Sequence, residues 1–418
     1  MYKASASRVV SIMATCADEK LAVRAGNLDL KNPIVVEAAG YVVDTWSLKR
    51  MIRTGAGAVI TKSTTAHPQG GWPRKWEWSP RPRNFWNPDD GQLLTATFPE
   101  DPGYMSGMDG TEALLNPGYK RMARFVKESR GLADEEKCKI IASFSPRSVE
   151  EGIEMAQLYE KSGADAVHMD LQCPSAGPFR GKQLVGQGYE KLGCWWSNDY
   201  TRVVELVKAI KSSVDIPVWP KPLITQWYTK DPKALHELDQ VKADAYPFMV
   251  YRIPNSLWID VYRGRPISPA PNNPLPAVVP LTVGTTSQIA KVTSVDLIPS
   301  GGVSTTTDVI QLLMAGASAI GVCRVFYKDM DACKKICQGL EYYIASQALN
   351  NISDIKGTAL QYVDYPPKGR LAEEYERGAF PIPVPSIEDD GSEKVVQSTT
   401  TKGQSPPKLP LIKNKQPE

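Results

Sequence analysis

The chain has 418 residues, enough for one large α/β domain or two smaller ones. Lys and Arg (49) nearly balance Asp and Glu (46), giving a net charge of +3, which excludes a strongly basic nucleic-acid binder and an acidic tail protein as starting points. No apolar run reaches the roughly 18 residues of a membrane span, and an odd number of cysteines scattered through a large chain points to a reducing cytoplasm rather than a disulfide framework.

Residues 1–26 read as an N-terminal extension. Lys3, Arg8, Asp18, Glu19, Lys20 and Arg24 interrupt it, so no secretory leader is expected. From there the chain repeats one theme, a short β-branched apolar run followed by an amphipathic stretch. The runs lie at 33–39, 58–63, 139–144, 165–171, 216–222, 243–250, 295–300 and 317–323. Helices are predicted at 45–54, 117–129, 148–162, 199–213, 231–241, 285–292, 304–315 and 330–349. Strands that are apolar throughout are buried on both faces, as in a parallel sheet. Eight such units predict a (β/α)8 TIM barrel over 27–360, with a doubly wound open sheet as the competing arrangement. The rest, 361–418, is rich in Pro, Ser, Thr and Lys and reads as an extended or disordered tail, or a docking segment.

The connections leaving strands are long at about 64–116, 172–198 and 251–284. In a barrel these loops cover the C-terminal face, where active sites form. They hold Trp72, Trp76, Trp78, Trp86, Trp195, Trp196 and Trp258, which serve either as packing for the loops or as flat apolar pocket walls.

Chemistry-bearing residues stand at the strand ends. "VITKST" puts Lys62 at the end of the second strand and "PVWPKPLIT" puts Lys221 at the end of the fifth. Such lysines fit an anion clamp, a Schiff-base amine or a charge beside a flavin ring. "IPSGGVST" offers Gly301 and Gly302 before a helix start. "AGASAIGVCRVFYKD" offers Gly321, Cys323 and Arg324 at the matching place one unit later, where this fold binds phosphate. "VHMDLQCPSAG" carries Asp170, with Lys221 or Arg180 as candidate partners, and Cys173 before a proline. Cys173 reads either as an acid/base or nucleophilic thiol or as a small buried hydrophobe. His168, inside the fourth strand, reads as a core residue. No His, Asp or Glu grouping has zinc spacing, so no metal is expected.

These pieces in order resemble the FMN-binding barrel of the dihydroorotate dehydrogenase family. The segments that carry the likeness are "NLDLKNPIVVEAAG", "GAGAVITKST", "KIIASFS", "SGADAVHMDLQCPSAGPFRG", "IPVWPKP", "IPSGGV" and "AGASAIGVCRVFYKD". Within the family the chain is most like the pyrimidine-reducing domain of dihydropyrimidine dehydrogenase. The resemblance implies an FMN whose phosphate rests on Gly301, Gly302, Gly321, Cys323 and Arg324. It places Ala38, Ala39 and Gly40 behind the ring, and Lys62, Ser63 and Lys221 at its N1/O2 side. It makes Cys173 the group that handles the substrate proton while hydride passes through flavin N5, with Lys62 assisting.

The family signature begins with Asn where this chain has Asp170, and Ser175 follows the proline. Val250 stands near the place of an Asn-Thr pair, and Ser106 is the nearest counterpart of a further Asn. Losing those amides removes the complement of a pyrimidine imide edge at roughly 1–3 kcal/mol per polar contact. The expected substrate is therefore a cyclic unsaturated compound other than orotate or uracil. Without a ferredoxin module or a membrane-binding segment, electrons are expected to pass to a partner protein or soluble acceptor. A homo-oligomer is expected, with no nucleic-acid or membrane partner. A lysine Schiff-base aldolase barrel and a non-catalytic flavin-binding homologue are the alternatives.

Overall fold

Eight strands run parallel in one sheet, in a computed structural model that describes residues 19–68, 85–86, 93–94, 116–173, 191–225, 232–250, 259–260, 265–266, 278–363, 385–387 and 393–395. They are β1 (Ile34–Val36), β2 (Ala58–Ile60), β3 (Lys139–Phe144), β4 (Ala166–Asp170), β5 (Val218–Lys221), β6 (Ala245–Met249), β7 (Asp296–Ser300) and β8 (Ile320–Val322). The spatial order is β6-β7-β8-β1-β2-β3-β4-β5, so neighbours in space are neighbours in the chain all the way round. The amide of Asp244, just before β6, donates to the Val218 carbonyl of β5 at 3.1 Å, which links the two remaining edges. A doubly wound sheet would reverse its order at a switch point; none exists here, and the fold is a (β/α)8 barrel.

The helices α1 (Thr45–Ile52), α2 (Tyr119–Glu135), α3 (Val149–Lys161), α4 (Tyr200–Lys211), α5 (Pro232–Gln240), α6 (Val279–Ala290), α7 (Thr306–Met314) and α8 (Ala332–Ser346) follow the strands in turn. Their starts are set by local chemistry. Asp44 caps α1 through the Ser47 amide, Ser148 caps α3 through the Glu151 amide, and Thr305 and Asp308 form a capping box on α7. Two helices differ from the sequence reading. Helix α2 passes residue 129 because Gly131 points into open space and does not stop it. Helix α6 starts six residues before the predicted 285, inside the expected loop, with Pro280 in its first turn, where a missing N–H is harmless.

The amino end of the barrel is covered by an antiparallel hairpin, Val23–Ala25 with Leu28–Leu30, which spans the expected 26/27 boundary. Its turn residues Gly26 and Asn27 both take positive φ (55° and 61°), the form of a two-residue hairpin turn that suits strand twist. The Gly26 amide donates to Asp296 of β7, and the Gly26 carbonyl accepts the Trp219 indole N–H of β5 at 2.8 Å. Trp219 is wholly buried there. The long segments after β2 and β6 carry small antiparallel pairs, Phe85–Trp86 with Leu93–Leu94 and Ile259–Asp260 with Arg265–Pro266. These elements fall in the compact unit Met1–Thr358. The second unit, Ala359–Glu418, has one helical turn (Leu360–Tyr362) and a hairpin of Pro385–Ile387 with Glu393–Val395. No described helix is long and apolar enough to cross a membrane.

Candidate active site

The carboxyl ends of the strands gather buried charge. Asp170 and Lys221 pair in the β4–β5 register, so their side chains share the inner face. The Lys221 ammonium donates to Glu37 Oε2 at 2.8 Å, and both side chains are buried. Burial opposes the charge on Lys221. The charges of Glu37 and Asp170 and the Glu37 hydrogen bond outweigh it, so its pKa stands above the ordinary value. The sequence reading missed Glu37. The signal was there: an acid directly after the fully buried run Ile34, Val35, Val36 must find a partner.

Lys62 is buried two residues past β2, and its amide donates to Val42 O at 2.9 Å. The Val42 amide in turn donates to Ala39 O. The segment holding Ala38, Ala39 and Gly40 is thereby laced to the end of β2 that carries Lys62 and Ser63.

Asp170 anchors a chain of hydroxyls. Ser63 Oγ donates to Asp170 Oδ2 at 2.9 Å, Ser63 and Ser143 Oγ lie 2.9 Å apart, and Ser143 Oγ lies 2.8 Å from His168 Nδ1. Since Ser63 gives its proton to the carboxylate, Ser143 must donate to Ser63 and His168 Nδ1–H must donate to Ser143. Burial, with the Lys221 charge behind it, drives the His168 pKa well below its ordinary value. The imidazole is neutral, which agrees with an Nε2 that has no partner among the described residues. The sequence reading of His168 as a core residue holds, but the core here is polar.

Asp170 Oδ1 accepts the amide of Cys173 at 3.1 Å, and the Cys173 carbonyl accepts the Cys194 amide at 3.1 Å. The partly exposed Cys173 is therefore fixed to the strand end by the carboxylate beside it. Gln172, buried between them, spends its amide on the backbone of Met249 in both directions. Of the partners weighed for Asp170, Lys221 stands in register but bonds Glu37, and Arg180 lies outside the described residues, as do Ser106 and Ser175. Asn116 is a second residue the sequence reading missed. It is buried, and its Oδ1 accepts the amides of Thr65 and Gly118, tying the returning loop to the end of β2. Trp195 and Trp196 pack edge to face, with Arg202 over Trp195. The other loop tryptophans lie outside the described side chains.

On the opposite rim, β7 and β8 pair at Ser300 and Gly321. Gly301 and Gly302 both take positive φ (124° and 80°), and a Cβ on Gly301 would sit 2.7 Å from Val250 O. A Cβ on Gly321 would sit 2.7 Å from both Glu37 Oε1 and Ser300 Cβ. Arg324 follows Cys323, whose carbonyl accepts the Tyr41 hydroxyl at 2.9 Å. Arg324 Nη1 is buried and has no hydrogen-bond partner among the described residues. A buried guanidinium nitrogen in that condition suits an anion. Just before α7, Asp308 accepts the amides of Ser304 and Thr305, closing the capping box.

The family model for dihydroorotate dehydrogenase matches residues 20–191 and 276–344. The chain is 28% identical over 346 residues to the dihydroorotate dehydrogenase B (NAD(+)) catalytic subunit of Methanocella arvoryzae, covering 82% of this chain and 99% of that protein. It is 26% identical over 339 residues to the protein of the same name from Pyrococcus furiosus (79% and 96%), and 25% identical over 341 residues to that from Bacillus caldolyticus (81% and 95%). With matched segments that run from the amino-end hairpin through the helix after β8, the chain belongs to the dihydroorotate dehydrogenase family.

Proposed function

We propose that this chain is an FMN-dependent oxidoreductase acting on a CH–CH bond of a cyclic substrate, and that it works as a catalytic subunit beside a separate electron-transferring partner. Family membership supports the reaction class, and the catalytic-subunit relatives support the partner. The single observation that carries the cofactor is the buried Arg324 nitrogen, unpartnered among the described residues, just after β8, the strand paired with the one that Gly301 and Gly302 follow. Gly301, Gly302, Gly321, Cys323 and Arg324 would hold the phosphate, with Ala38, Ala39, Gly40, Lys62, Ser63 and Lys221 around the ring. Bound FMN supplies hydride exchange with the substrate carbon.

The chain's own residues supply the rest. Cys173 Sγ exchanges a proton with the neighbouring substrate carbon, and Asp170 holds the Cys173 amide so that the thiol stays at the mouth of β4. Lys221 stays an ammonium, held by Glu37. That argues against a Schiff-base role for it, since an imine-forming lysine needs a depressed pKa. The substrate differs from orotate and uracil. Asp170 replaces an amide with acceptors already engaged by Ser63 and Cys173, and Gln172 has committed its amide to Met249. The site therefore offers a pyrimidine imide few free donors from this strand end.

The experiment is to purify the protein, measure flavin absorbance per chain, photoreduce it anaerobically and add cyclic α,β-unsaturated compounds, with orotate and uracil in the panel. Reoxidation by a member of the panel other than those two supports the reading. Colourless protein that takes up no added FMN rejects it, and reoxidation by orotate rejects the altered substrate.

A further inference from the structure

Glu37 Oε1 is buried and has no hydrogen-bond partner among the described residues. Donors on its neighbours are spoken for. Its own amide donates to Val322 O, the Ser300 hydroxyl donates to Phe248 O, and Lys221 bonds the other carboxylate oxygen. Oε1 rests against the bare backbone of Gly321, where a Cβ would lie only 2.7 Å away, so the glycine is what lets the carboxylate lie at this place. A buried carboxylate oxygen in such a place calls for a donor from outside the chain.

Gly321 lies in β8, three residues before Arg324. An anion held there would bring the atoms joined to it past Glu37. In FMN the phosphate is joined to a polyol chain with several hydroxyl donors, while the ring N–H lies at the end remote from the phosphate. We propose that Glu37 is a cofactor-contacting residue: Oε2 fixes the Lys221 ammonium and Oε1 accepts a hydrogen bond from a hydroxyl of the flavin polyol, so that the cofactor meets a charge-balanced pair instead of a bare cation. This rests on the FMN reading above.

The test uses purified holoprotein with FMN as the probe, and reads both the FMN Kd and the two-electron midpoint potential. Glu37→Gln keeps a hydrogen-bonding group and loses the charge. Its Kd stays near wild type, and its potential rises by about 30 mV, a tenfold shift toward the reduced flavin. Glu37→Ala loses both, so FMN binds about tenfold more weakly and the potential again rises. If an uncompensated Lys221 prevents folding, the same changes are made on Lys221→Gln, where removing the carboxylate still raises the potential. An unmoved potential in FMN-loaded Glu37→Gln, or wild-type affinity in Glu37→Ala, overturns the inference and leaves the FMN reading standing. Wild-type protein that takes up no FMN overturns both.

Discussion

Glu37 and Lys221 stand 184 positions apart in the chain and meet at 2.8 Å inside the mouth of the barrel. Each is the other's means of being buried. Removing one partner of such a pair costs about 3–5 kcal/mol, whereas replacing both with neutral groups of similar size is close to neutral. Lys221→Met is therefore expected to lower stability by about 3–5 kcal/mol in urea unfolding, and adding Glu37→Gln to restore most of the loss. The pH dependence has a definite sign. The folded pKa of Lys221 is raised above its unfolded value near 10.5, so its contribution is full below that value and is lost only as pH climbs through the higher folded one. Unfolding curves taken from neutral to strongly alkaline pH check this: the wild type loses stability over that upper range, and the double variant loses less.

Cys173→Ala is expected to retain FMN and the fold, and to slow turnover by about 10²–10⁴-fold, the usual weight of a positioned acid/base group. Stopped-flow measurement of substrate-driven flavin reduction reads the step directly. A near-wild-type rate would remove the thiol from the chemistry.

Gly321→Ala would press a methyl against Glu37 Oε1 and Ser300 Cβ, each 2.7 Å from where it must stand. A Cβ cannot rotate away, so a loss of about 1–3 kcal/mol is expected from overpacking. Thermal unfolding measures it. Glu37→Ala alone is destabilising because it strands Lys221, but on that background the added cost of Gly321→Ala should be smaller than on the wild type, because one of the two obstructing groups is gone.

His168 gives an acid-side signature. Its folded pKa lies well below the ordinary 6.5, so the unfolded chain takes up a proton that the native one refuses. The stability linked to this group is full above about 6.5 and declines as pH falls from there toward the folded value, by at most about 1.4 kcal/mol per pH unit. His168→Asn keeps a donor near Nδ1 and removes the titration. Its stability should decline less between neutral pH and mild acid than that of the wild type, as read from urea midpoints across that range.

The order of strands was legible because each is apolar on both faces, a pattern few other folds impose, and because the lengthened connections all leave one end. The start of α6 was not, since Val279, Pro280 and Thr282 read as a continuing loop until the proline is seen to occupy a first-turn position. Lys62, Cys173, Lys221 and Arg324 were legible as polar residues ending apolar runs. Glu37 ends such a run too, but its meaning depends on a lysine four strands away, and no local pattern reports that. The hydroxyl chain from Asp170 to His168 was hidden for the same reason. Ser63 follows β2 while Ser143 and His168 sit on β3 and β4, and the β3–β4 register sets the last two side by side.

The Trp219 indole and the hairpin turn at Gly26 cork the barrel at its amino end. Among the described residues this closes the end of the barrel away from Lys221, Asp170 and Cys173, so on the proposed function a small reactant reaches them from the opposite rim.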